Sequence, residues 1–143
     1  MSDAEARRRD KPLILVVDDV EDGRTIVAEY LGFRGFEVEG AEDGLEAIQK
    51  ATDLVPDLIL MDVWLPKMDG LEATRRIKAD ERTRHIPVLA LTAHALESAR
   101  LKALDAGCDG VVTKPFFPND LEEEIRRHLG GGADEEETYE EET

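Results

Sequence analysis

Five short apolar stretches punctuate this chain, and four of them end abruptly on a polar or charged residue. LILVV (13–17) runs into Asp18 and Asp19, LILM (58–61) into Asp62, VLAL (88–91) into Thr92, and GVVT (110–113) into Lys114. All-aliphatic runs this short, bounded by turn formers, predict strands buried on both faces. FEVEG (36–40) alternates apolar and polar residues, which predicts a strand with one more exposed face.

The segments between the runs have helical spacing. Ile26, Val27, Tyr30 and Leu31, then Phe33 or Arg34, recur before Gly35, and Leu45, Ala47, Ile48 and Ala51 recur within 43–54. VWLPKMDG (63–70) carries Pro66 and Gly70 and reads as a loop, with a helix over 71–79 after it. Leu96, Ala99, Ala103 and Leu104 predict a further helix ended by Gly107. Leu121, Ile125 and Leu129 predict a last one, with Asn119 or Asp120 as its cap. Strict alternation of strand and helix means an α/β fold with parallel pairing, right-handed crossovers and helices on both sheet faces.

A chain of 143 residues suits one domain. The expected division is a loose segment over 1–11, which holds Arg7, Arg8 and Arg9, a folded body over 12–129, and a disordered acidic tail over 130–143. A net charge of −16 disfavours direct nucleic-acid binding through a broad basic face. Cys108 is the single cysteine, which excludes an internal disulfide and reads as buried apolar filler. No stretch approaches a membrane span and the start lacks a secretory signal, so a cytoplasmic protein is expected.

In an open parallel sheet the carboxyl ends of the strands meet at one edge, where ligands bind. Asp18, Asp19 and Asp62 would share that crevice with Thr92 and Lys114. Two unit charges about 4 Å apart repel by about 4 kcal/mol at an effective dielectric near 20. Several such pairs rival the whole stability of a domain. Either a carboxyl protonates or a cation enters. All-oxygen ligands suit Mg²⁺, which keeps water or phosphate oxygens in its remaining positions. A phosphoryl group there would need Lys114 as a counter-charge and Thr92 as a hydrogen-bond donor. A carboxylate can itself accept the phosphoryl, and Asp62, alone at the end of a central strand, is the candidate nucleophile. Taken singly, each residue has a plainer role: the Asp as turn former or cap, the Thr as structural, the Lys as solvated.

VVDD (16–19), LILMDVWLPKMDG (58–70), LALTA (89–93) and TKPF (113–116) together resemble the receiver domain of two-component response regulators, from about Pro12 to Leu129. That resemblance implies a doubly wound five-stranded sheet of order 2-1-3-4-5, as in flavodoxin-like folds. It implies phosphoryl transfer to Asp62 from a histidine kinase or histidine phosphotransfer protein. Mg²⁺ would sit on Asp19, Asp62 and the Trp64 backbone carbonyl, with Asp18 helping through water. Thr92 and Lys114 would contact the phosphoryl group, and the Lys114–Pro115 bond would be cis.

The chain departs from the family at Val111, where an aromatic switch residue is common. Trp64, two residues past Asp62, either shields the acyl phosphate or is an exposed loop aromatic. His94, two past Thr92, reads as a rim residue, and His85 and His128 as surface positions. The expected output is a shift of residues 92–115, including Ala93, His94, Val111 and Pro115, that alters binding of a downstream protein to the 94–129 surface. A stand-alone regulator is expected. The alternatives are a fragment of a larger regulator or hybrid kinase, and a degenerate receiver that binds partners without phosphorylation. A haloacid dehalogenase-type phosphatase would carry a second acid where Trp64 stands. Neither GxGxxG nor a P-loop supports a nucleotide site.

Overall fold

A computed structural model describes residues 11–129; the acidic tail, 130–143, and all but Lys11 of the loose segment expected over 1–11 lie outside the described residues. Five strands alternate with five helices: β1 Leu13–Val17, α1 Glu21–Phe33, β2 Glu37–Ala41, α2 Gly44–Leu54, β3 Leu58–Asp62, α3 Gly70–Ala79, β4 Val88–Thr92, α4 Glu97–Asp105, β5 Gly110–Thr113 and α5 Pro118–Leu129. The strands form one parallel sheet in the order β2-β1-β3-β4-β5. Every residue of β1, β3 and β4 is buried, which is why those runs are unbroken aliphatics. Edge strand β2 is half-buried at Val38 and Gly40 and buried only at Ala41, and edge strand β5 is half-buried up to its exposed last residue.

Side chains alternate across the sheet, so each central strand feeds two cores. Leu15, Val17, Ile59, Met61, Val88 and Ala90 pack under α2, α3 and α4. Ile14, Val16, Leu58, Leu60, Leu89 and Leu91 pack under Leu31 of α1 and Leu121 and Ile125 of α5. Each such aliphatic contributes roughly 1.5–3 kcal/mol of burial free energy. Helices α1 and α5 are also tied by charge. The buried Glu122 carboxylate accepts from the Tyr30 hydroxyl at 2.9 Å, Arg34 Nε at 3.0 Å and Arg126 Nε at 2.9 Å. Burial opposes its ionisation, yet the donors from Arg126, Tyr30 and Arg34 hold the carboxyl below the usual range.

Several sequence expectations shift. Helix α5 begins at Pro118, so Asn119 and Asp120 lie in its first turn and neither caps it. Proline suits this place because its missing N–H has no helical partner there anyway. Leu96, just before α4, and Leu104 within it face outward, 68% and 36% exposed; Ala103 makes the buried contact of the helix. On α1, Ile26 and Phe33 are exposed while Leu31 is buried. Cys108 is buried and free, as the filler role requires. His85 is exposed, but His128 is half-buried, with Nδ1 against the Glu124 carbonyl at 3.0 Å.

Candidate phosphoacceptor site

The register of the sheet assembles the site. Val17 pairs with Met61, so Asp18 and Asp62 leave their strands side by side. Asp62 pairs with Leu91 and Thr92 with Thr113, which places Thr92 and Lys114 at the same edge. One carboxylate oxygen each from Asp18, Asp19 and Asp62 lies within 4.8 Å of the others. Asp18 and Asp62 are buried and Asp19 is exposed. An all-carboxylate trio this close, open to solvent on one side, fits a hard divalent cation that keeps part of its water shell.

Lys114 Nζ stands 3.2 Å from Asp62 Oδ2 and 3.9 Å from Asp18 Oδ2. Burial is the main force on the Asp62 carboxyl, and it raises the pKa. Lys114 and the Trp64 N–H oppose that shift, whereas the Asp18 charge adds to it. The ionised form is therefore under electrostatic pressure that a cation would relieve.

Two tight turns flank the nucleophile candidate. The Trp64 backbone N–H donates to Asp62 Oδ1 at 3.2 Å, and the His94 N–H donates to the buried Thr92 Oγ1 at 3.0 Å. Each turn carries an aromatic ring. The Trp64 indole is 64% exposed and meets the His94 imidazole edge-on, with ring centroids 6.0 Å apart. Ala93 is exposed, Val111 is half-buried against the core beneath α2, α3 and α4, and Lys114–Pro115 is cis.

All five polar residues marked by the sequence thus converge. Two further residues were missed. Gly70 lies directly behind Asp62: a Cβ there would stand 2.1 Å from the Asp62 carbonyl oxygen. Arg24 donates from Nη1 to the Asp18 carbonyl at 2.7 Å. The turn signal explains Gly70 only as a loop end, and nothing in the spacing separates Arg24 from a surface arginine.

The profile of the response regulator receiver domain family matches residues 14–126. The polar-differentiation response regulator DivK of Brucella ovis is 37% identical over 117 residues, covering 82% of this chain and 95% of that protein. The DNA-binding dual master transcriptional regulator RpaA of Synechocystis is 40% identical over 116 residues, but the match spans only 47% of its length. A putative response regulator from Chloroflexus aurantiacus superposes with a TM-score of 0.82 at 31% identity, over 85% of this chain and all of that one (100%). The receiver domain of a sensor histidine kinase from Pseudomonas aeruginosa, crystallised with magnesium coordinated in its active-site cleft, gives 0.79 at 37% identity, over 85% and 99% of the two chains. With its sheet order, its carboxylate crevice and a profile match across nearly the whole described body, this chain belongs to the response regulator receiver domains, the phosphoacceptor modules of two-component signalling.

Proposed function

We propose that Asp62 is the phosphoacceptor and that Asp18, Asp19, Asp62 and the Trp64 backbone carbonyl hold Mg²⁺. The donor is the phosphohistidine of a histidine kinase or histidine phosphotransfer protein. An Asp62 carboxylate oxygen attacks phosphorus, the N–P bond breaks, and its electron pair returns to the imidazole nitrogen. Bound Mg²⁺ supplies positive charge that offsets the carboxylates and the incoming phosphoryl oxygens. Lys114 follows as a mobile counter-charge. The chain assists its own phosphorylation and dephosphorylation as a regulator and does not act as a turnover enzyme. The observation that carries this reading is the carboxylate trio within 4.8 Å, with the Lys114 ammonium 3.2 Å from Asp62.

Output follows from Thr92. Its hydroxyl oxygen now holds the turn at His94, and a phosphoryl oxygen on Asp62 gives that hydroxyl a strong acceptor. The two arrangements bias residues 92–115, including Ala93, His94, Val111 and Pro115, and change how the 94–129 surface meets a downstream protein. Leu96, Leu101 and Leu104 stand exposed on that surface. Val111 leaves the switch to backbone and loop movement, without an aromatic rotor. The net charge of −16 opposes direct contact with nucleic acid. Among the described residues no helix is long and apolar enough to cross a membrane.

Incubation with acetyl phosphate tests the assignment. One alkali-labile phosphoryl per chain should accumulate with Mg²⁺ and none in chelator; turnover of the donor with no label accumulating, or labelling indifferent to Mg²⁺, contradicts it. The Trp64 indole, edge-on to His94, shields the acyl phosphate from water. Trp64→Ala should therefore shorten the lifetime of the label several-fold. Unchanged decay would reduce Trp64 to an exposed loop aromatic.

A further inference from the structure

The main chain at Asp18 is gripped from three directions. Its N–H donates to the Ala41 carbonyl of β2 at 3.0 Å, and its own Oδ1 accepts from the Val20 N–H at 2.9 Å. Its carbonyl oxygen accepts from Arg24 Nη1, at 2.7 Å. Arg24 sits one turn into α1 and lies flat across β2, where Gly40 leaves it room. A Cβ at Gly40 would stand 3.2 Å from Arg24 Cδ and 3.3 Å from Nε. Asp18 Oδ2 is left facing Lys114 and the crevice.

The carbonyl that Arg24 holds belongs to the peptide joining Asp18 to Asp19. Asp19 is exposed, so the orientation of that peptide sets where its carboxylate points. We infer that Arg24 is a positioning residue for the metal site: by fixing the Asp18–Asp19 peptide it directs both carboxylates toward a common cation, and Gly40 is the clearance that lets it do so. The inference rests on the proposed Mg²⁺ site and adds a residue that touches neither metal nor phosphoryl. Partners that orient metal ligands from behind cost about 10–100-fold in affinity when removed.

The sign of the effect separates positioning from bulk electrostatics. Removing a cation beside three carboxylates would, by Coulomb's law alone, tighten Mg²⁺ binding. Loss of positioning weakens it. Calorimetric Mg²⁺ titration of the wild type, Arg24→Met and Arg24→Lys, with thermal unfolding in chelator as a check on folding, reads this directly. Arg24→Met should keep a cooperative transition in chelator yet bind Mg²⁺ about tenfold more weakly, with Arg24→Lys, which retains a donor, in between. Gly40→Ala, which leaves Arg24 in place but displaces its stem, should weaken binding in the same direction and serves if Arg24→Met does not fold. Unchanged or tighter Mg²⁺ binding in folded Arg24→Met or Gly40→Ala overturns the inference and leaves the phosphoacceptor assignment standing. No Mg²⁺ uptake by the wild type overturns the metal site itself.

Discussion

Asp62→Asn is expected to reduce phosphoryl labelling to background and, without metal, to raise the unfolding temperature. The first follows from loss of the attacking carboxylate oxygen, the second from burial. Asp62 is 7% exposed, and burial raises its pKa against the opposing pull of Lys114. A carboxyl whose folded pKa lies above its unfolded one costs stability when ionised. That cost is complete above the raised folded value and disappears as pH falls toward the ordinary Asp range. Asn matches the shape without the charge, so its advantage should be present at neutral pH in chelator and fade in acid. A change of about 1 kcal/mol moves Tm by roughly 2–8 °C for domains near this size. With Mg²⁺ the ranking narrows or reverses, because only the wild type retains all three carboxylates. Thermal scans across pH, with and without Mg²⁺, check this. Labelling retained in Asp62→Asn would move the phosphoacceptor elsewhere.

Gly70→Ala is expected to cost about 3 kcal/mol or more, although alanine is the better helix former by about 1 kcal/mol. Gly70 opens α3, and its N–H donates to the Val63 carbonyl at 3.0 Å, closing the 63–70 loop against the end of β3. The added Cβ would meet the Asp62 carbonyl oxygen at 2.1 Å, and both sides of this contact are backbone. Either α3 or the end of β3 at Asp62 must move. Labelling by a small phosphodonor should fall together with the denaturation midpoint. Gly32→Ala is the control: it lies within α1 with nothing within 4 Å of the new methyl. Helix propensity alone should then raise stability by about 0.5–1 kcal/mol. If both variants behave alike, the close approach behind Asp62 is not what glycine is there to permit.

The part of this molecule legible in its sequence is the part where burial changes abruptly. Asp18, Asp62 and Thr92 are each preceded by at least four buried aliphatic residues, so chemistry and strand end were marked by the same step in polarity. Parallel order then brought them together without further information. Helix α4 was harder to read because periodicity does not say which side of a helix faces the sheet. Small residues fill its inner face, and the larger Leu101 and Leu104 are left outside, as is Leu96 at its N-cap. Arg24 and Gly70 act through single contacts with main-chain carbonyls of other elements, and such contacts leave no periodic trace.

On the proposed function, crowded carboxylates around Mg²⁺ make one particular aspartate accept PO₃. Its most direct test is to treat the protein with acetyl phosphate and Mg²⁺, reduce the acyl phosphate with borohydride, and locate the resulting homoserine by peptide mass spectrometry. Homoserine is expected at position 62, dependent on Mg²⁺ and absent in chelator. Homoserine at any other carboxylate, or at position 62 irrespective of metal, would contradict it.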